Sequence, residues 1–395
     1  IRSYLAAGFI KGVGHKLVER IINHFEADTL TVIETRPERL TEVDGVGEKI
    51  ARRIAEAWQS HHAARRLMQF LEKNGVDTMH AARLLREYGN GAVEILCNDP
   101  YRVAEDIPRF GFLIADAIVR NADTPVDEMD RAKACLLHLL EQAADRGHTY
   151  ITRDRLFDQC REMFAIGPDL GADALHHLVQ AGELVVTDDG PLVFPKALHQ
   201  AETVIAGRIA AMQTVRPVDP PPDGRLITGA VLNKLAIALS DEQQRILSEI
   251  MAHKVSIITG GPGTGKTTLI RSITAVMEAL GRRVMLAAPT GRAARRLSEV
   301  TGRSAATLHR ALGYNLADGR FERTEDDPLT AAVVIVDEAS MVDTQLMAHL
   351  IRAVPVTAAL ILVGDVFQLP SVGPGNVLAD LIRSRTIVTF ELTDI

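Results

Sequence analysis

Apolar and polar positions follow two regimes along this chain. In the last third, unbroken apolar runs each stop at a polar residue: Val255-Ser256-Ile257-Ile258-Thr259, Val333-Val334-Ile335-Val336 and Leu360-Ile361-Leu362-Val363. Runs without alternation predict strands buried on both faces, the pattern of a parallel sheet covered by helices. The first third instead shows helical spacing, Leu17, Ile21 and Ile22, then Ile50 and Ile54, each after a glycine-bearing turn.

Those turns are related. Ile10-Lys11-Gly12-Val13-Gly14 and Val43-Asp44-Gly45-Val46-Gly47 share one form, and both precede a helical pattern. The larger unit recurs: Gly12-Val13 aligns with Gly75-Val76, Phe25 with Tyr88, Pro37 with Pro100, Gly47 with Gly111 and Ile54 with Ile118. A repeat of this length predicts a duplicated helical module. Two glycines around one apolar residue make a tight turn whose amides can meet a phosphate at the next helix N-terminus. Gly12, Gly14, Gly45 and Gly47 are therefore candidate contacts to a nucleic-acid backbone. The second copy has lost the first glycine of one turn, in Pro108-Arg109-Phe110-Gly111, which leaves it a packing role.

From about Arg131 to His199 helices are followed by a hairpin signal, Glu183–Val186, Asp188-Asp189-Gly190 and Pro191–Phe194. Three helices and a two-stranded ribbon predict a winged-helix-like α+β module. It is acidic, so packing is favoured over nucleic-acid binding. Val215–Gly224, with its run Pro220-Pro221-Pro222, reads as a stiff linker. The expected organisation is multidomain: an all-α region over 1–125, the winged-helix-like region over 126–213, a linker over 214–225, and an α/β domain over 226–395 with a hairpin inserted near 313–323; a helix at about 201–212 could belong to either side of the linker.

The α/β part carries the chemistry. Gly260-Gly261-Pro262-Gly263-Thr264-Gly265-Lys266-Thr267-Thr268 lies between a strand and a helix, which is the context of a phosphate-cradling P-loop. Its glycines let amides face a triphosphate, Lys266 adds a charge, and the Thr267 hydroxyl can reach Mg²⁺. Residues Gly261, Pro262, Gly263, Thr264, Gly265 and Thr268 complete the cradle. Asp337 and Glu338 end the second run; Asp337 is assigned to the metal and Glu338 to the general base. In Gly364-Asp365-Val366-Phe367-Gln368, Gln368 can touch both the γ-phosphate and nucleic acid. Gln243, in Leu239-Ser240-Asp241-Glu242-Gln243, can read an adenine edge, and Ser240 with Asp241 can cap the helix. Pro289 stops the next strand, and Thr290, Gly291 and Arg292 open a helix whose amino end suits a DNA phosphate. Thr307-Leu308-His309-Arg310 looks like a second DNA contact through Thr307 and His309.

Composition alters this picture in one respect. The 395 residues carry a net charge of −7, which argues against nucleic acid, yet nine arginines between Arg282 and Arg323 face only three acids. A local basic segment is the better footprint. Cys97, Cys135 and Cys160 lack ligand spacing, and no apolar run is long enough for a bilayer, so a cytoplasmic protein without a membrane partner is expected.

Together these residues closely resemble the RecD-like helicases of superfamily one, related to the exodeoxyribonuclease V alpha subunit. Residues 239–382 carry the strongest likeness, and Phe367–Leu378 is its most characteristic segment. The tandem helix-hairpin-helix points to the stand-alone members. The resemblance implies a RecA-like motor using ATP and Mg²⁺, 5′-to-3′ movement on single-stranded or forked DNA, a monomeric motor, and strand separation by the hairpin near Tyr314. It also implies a second motor domain, supplying arginines to the ATP site, beyond Ile395. On that basis this polypeptide is expected to bind nucleotide, hydrolyse it slowly and unwind nothing alone. The competing expectation is a passive DNA-binding or scaffold module with a non-cycling nucleotide site.

Overall fold

A computed structural model describes residues 15–107, 109, 111–122, 127–188, 190–216, 224–235, 237–368 and 371–393. Gly12, Gly14, Pro108, Phe110, most of the Pro-rich stretch and Leu369-Pro370 lie outside these residues. The chain divides into two compact units: residues 1–138 with 164–174, and residues 139–163 with 175–395. Among the described residues no helix is long and apolar enough to cross a membrane.

The first unit is helical. One apolar cluster gathers Leu17, Ile21, Phe25, Ile33, Leu40, Ile54 and Trp58; another gathers Leu67, Leu71, Leu84, Leu96, Ile114 and Ile118. Positions aligned by the repeat fall at matching places in the two cores. Ile21 and Leu84 are both fully buried, as are Ile54 and Ile118. The helix Glu48–Lys73 contributes its first half to one core and its second half to the other. The turn before it is open: Gly45 has φ +92°, Gly47 is the N-cap with no side-chain cap, and a Cβ on Gly47 would meet nothing within 4 Å. Arg20 Nη1 donates to Asp44 O at 2.7 Å, pinning the turn to the preceding helix. Gly111 differs, since a Cβ there would lie 2.0 Å from Val103 O. That glycine serves close packing.

Asp116, only 5% exposed, anchors this unit electrostatically. Arg131 Nε donates to it at 2.7 Å, Arg120 pairs with it at 2.9 Å, and Arg131 Nη2 also donates to Phe164 O at 2.8 Å. Removing Arg131 strips the buried carboxylate of its shorter ion pair and leaves only the half-exposed Arg120 beside it. Arg131→Met is therefore expected to cost about 3 kcal/mol. Urea denaturation would read that loss as a lower midpoint with an unchanged slope.

In the second unit a small antiparallel sheet has the order β1 (Ile151–Thr152), β3 (Leu192–Pro195), β2 (Leu184–Val186), with Val186 opposite Val193. The larger sheet is parallel and six-stranded: β11 (Val388–Leu392), β4 (Val255–Gly260), β10 (Ala359–Gly364), β9 (Val333–Val336), β5 (Val284–Ala288) and β6 (Ala305–Thr307), in that spatial order. Alternate residues serve opposite cores. Ile257, Val334, Val336, Leu360 and Leu362 face one side, and Ile258, Val333, Ile335, Ile361 and Val363 face the other. Both faces are dry, which is why the strands read as continuous apolar runs.

The helix Lys196–Thr214 belongs to this sheet's core through Ala201, Ile205, Ile209 and Met212. Its Arg208 Nη2 donates to Val354 O at 3.0 Å, satisfying a carbonyl at the end of the helix Thr344–Ala353. A short hairpin, β7 (Tyr314–Asn315) and β8 (Arg320–Phe321), follows β6 in the chain.

Candidate nucleotide site and nucleic-acid edge

Parallel register brings the chemistry to one edge. Gly364 pairs with Thr259, Leu362 with Val336, Ala287 with Val336, and Ala288 with Thr307. Gly260, Asp337, Asp365, Pro289 and Thr307 thus leave the sheet at its carboxyl side. In parallel α/β sheets the strand ends on this side form the binding crevice.

The P-loop curls because two of its glycines adopt left-handed backbone, Gly263 at φ +89° and Gly265 at φ +84°. Gly265 is then the N-cap of the helix Lys266–Ala279, which aims free amides and the positive helix end at the loop. Lys266 Nζ donates to Gly260 O at 2.5 Å and Gly261 O at 2.7 Å, while Thr264 Oγ1 donates to Gly261 O at 2.9 Å. Thr267 and Thr268 begin the helix, half-buried.

Asp337 N donates to Ala287 O at 2.9 Å, carrying the β9 ladder one residue beyond the strand. Its Oδ1 accepts from Glu338 N at 2.9 Å. Burial pushes the Asp337 carboxyl above the usual range; the hydrogen bond from Glu338 N opposes this, the Glu338 charge adds to it, and Lys266 and Arg296 oppose it. A half-buried carboxylate of that kind fits a divalent cation, which would offset its desolvation. Glu338 sits at φ +53°, a left-handed conformation rare for a side-chain-bearing residue. Such strain collects where a side chain must be aimed.

Asp365, 2% exposed, accepts from Phe367 N at 3.0 Å and from Gln368 Nε2 at 3.1 Å, so Gln368 is oriented by a buried carboxylate. Gln243 is committed elsewhere. Its Oε1 accepts from Ser240 N at 3.2 Å in a reciprocal capping box, and its Nε2 donates to Thr264 O at 3.4 Å. The expected helix cap is present, and the amide that could read adenine braces the P-loop. One residue earlier, the Glu242 carboxylate accepts from both Thr393 N and Thr393 Oγ1 at 3.1 Å.

The proposed DNA side lies along the same edge. Thr290 caps the helix Gly291–Thr301 by accepting from Ala293 N at 3.3 Å, and Thr307 accepts from Arg310 N at 3.2 Å. Arg292 is exposed at the first of those helices. His309 packs on the hairpin, with ring centroids 5.4 Å from Tyr314 and 5.7 Å from Phe321. Three of the nine arginines are spent on acids: Arg295 on Glu299, Arg303 on Glu278 and Arg323 on Asp327. Arg296 was not singled out from sequence. Its charge acts on Asp337, a relation created by the β5–β9 pairing.

His349 backs the hairpin, 4.4 Å from Phe321. Burial lowers its pKa, and Arg352 lowers it further against an opposing effect of Asp343. A depressed imidazole contributes stability above its ordinary value of 6.5, lost as pH falls toward the folded value. His349→Phe is expected to reduce the fall in Tm between about pH 7.5 and 5.5 by about 2 °C. Thermal melts at both pH values would show it.

A glycine-rich loop after β4, with the acidic pair just past the end of β9 and β10 intervening, defines a RecA-like P-loop domain. A profile of the helix-hairpin-helix domain of ATP-dependent RecD2 DNA helicases matches residues 60–150, a SAM-like helix-hairpin-helix tandem matches 7–60, and an AAA domain matches 243–374. Together these matches make the chain similar to RecD2-like helicases. It is 33% identical to the ATP-dependent RecD2 DNA helicase of Deinococcus radiodurans over 98% of this chain and 54% of that protein. The RecBCD enzyme subunit RecD of Mycobacterium tuberculosis is 38% identical over 51% of this chain and 37% of its own length. A solved structure of Pif1 helicases at forked duplex DNA is 26% identical over 40% of this chain and 44% of that one, with a TM-score of 0.31. The chain spans about half the length of the RecD2 protein it matches.

Proposed function

We propose that this chain carries the nucleotide-binding motor domain of an ATP-dependent DNA helicase that moves 5′ to 3′ on single-stranded or forked DNA. One observation carries the reading: Lys266, Asp337, Glu338 and Gln368 leave adjacent strands at the same sheet edge as the capped helices at Thr290 and Thr307. Nucleotide and DNA would therefore meet one continuous surface.

In this reading the loop amides of Gly261 and Gly263–Thr268 and the Lys266 ammonium hold the phosphates, once Lys266 exchanges its loop carbonyls for phosphate oxygens. Thr267 and Asp337 would hold Mg²⁺, which would supply charge neutralisation for the triphosphate. Glu338 accepts the proton of the attacking water. Gln368, held by Asp365, spans from the phosphate side to the strand. Gln243 turns from Thr264 toward adenine. Gly45 and Gly47, with Gly12 and Gly14, grip DNA backbone without reading sequence.

Coupling distinguishes a motor from a passive binder. The affinity of the chain for a labelled oligothymidylate should differ by about fivefold or more between nucleotide-free protein and protein saturated with a non-hydrolysable ATP analogue. Equal affinities would mark a passive DNA-binding module. Translocation on labelled single strands blocked at either the 5′ or the 3′ end tests the polarity.

A further inference from the structure

The segment after Gln368 has a second neighbour besides the ATP edge. Ser371 Oγ donates to Gly373 O at 2.9 Å and to Gly375 O at 2.6 Å, and Thr344 N donates to Pro374 O at 3.0 Å. Gly375 N then donates to Gly147 O at 3.0 Å. Gly375 has φ +92°, and a Cβ there would lie 1.9 Å from Thr344 Oγ1 and 3.1 Å from Thr149 Cγ2. The loop is thus clamped between the motor and the turn that enters the winged-helix-like sheet. A cleft of about 350 Å³ runs along this junction, lined among others by Arg146, Tyr150, Arg155, Asn376, Asp380 and Arg383.

Its charge opposes that of its surroundings. Arg146 and Arg155 are exposed and pair with no acid among the described residues. The one acid named in the lining, Asp380, is engaged by Arg383 at 3.0 Å, and burial raises its carboxyl pKa. Tyr150 is 43% exposed and is backed by Phe194 at 5.1 Å between ring centroids, which leaves part of the ring open. Cations spaced around a buttressed aromatic surface are what a single strand needs: phosphates go to the guanidiniums and a base to the ring. The volume is at the low end of ligand sites and suits about one nucleotide unit within a longer strand.

We propose that this cleft is a second single-stranded DNA site, in which Arg146 and Arg155 hold phosphates and Tyr150 stacks a base. The proposal rests on the helicase reading and extends it, because a strand here touches the segment that continues from Gln368. Acidic overall composition pointed the middle region toward packing alone, and the proposed site departs from that expectation.

The test is anisotropy of a fluorescein-labelled oligothymidylate on the whole 395-residue chain across a salt series. Arg146→Ala with Arg155→Ala should weaken binding about tenfold and lower the slope of log affinity against log salt by about 1.4, about 0.7 for each lost phosphate contact on a single strand. Tyr150→Leu should weaken binding about tenfold with the slope unchanged. Both proteins should bind a fluorescent ATP analogue as the parent does. Parental affinity and slope in both variants would overturn the site. If Arg292→Ala with His309→Ala still weakens DNA binding in that case, the helicase reading stands and only this inference falls. Displacement of the oligonucleotide by poly-glutamate at equal charge concentration would also overturn it, since stacking would then play no part.

Discussion

Lys266→Ala should lower affinity for a fluorescent ATP analogue by at least about a hundredfold, the effect of deleting one preorganised charged donor from a phosphate site. Among the described residues the ammonium bonds to Gly260 O and Gly261 O, two carbonyls of its own loop. Its removal takes away no inter-strand bond, so the fold should persist and the far-ultraviolet spectrum should match the parent. Lys266→Arg is not a conservative rescue. The guanidinium is a broad planar fork, whereas the loop closes on a compact point charge. Unchanged nucleotide affinity in Lys266→Ala would show that the loop does not cradle phosphates.

Glu338→Gln should separate binding from chemistry. The amide keeps the shape and the backbone of Glu338, including its left-handed φ of +53°, but cannot accept a proton. Nucleotide affinity is expected to stay within about threefold, while single-turnover hydrolysis falls by about 10² to 10⁴, the range for losing a positioned general base. Asp337→Asn should do the reverse in part, weakening the Mg²⁺ dependence of binding, because its carboxylate is the buried one. Equal hydrolysis by Glu338→Gln and the parent would reassign the base.

The strands, the phosphate loop and the helical repeat were legible because each is written in local sequence. Val333–Val336 is apolar at every position because both sheet faces are covered, and Ile54 and Ile118 repeat because each fills its own small core. What escaped depends on partners far along the chain. Nothing near Gln243 announces that its amide reaches Thr264 across 21 positions. Arg208 reveals its role only through Val354, and with it the attachment of the helix Lys196–Thr214 to the sheet. The nine-arginine segment read as uniformly basic, yet Arg303 is cancelled by Glu278, which precedes the segment, and Arg323 by Asp327, which follows it. Arg296 gains significance only because β5 lies beside β9.

The double grip of Glu242 on Thr393 makes the amino end of the helix Asp241–Glu249 a mechanical junction. Neighbouring side chains on that one turn hold the phosphate loop on one side and the outgoing backbone of β11 on the other. An adenine that drew Gln243 from Thr264 would shift a turn that also holds the end of β11, so a local exchange of hydrogen bonds would be felt across the sheet edge.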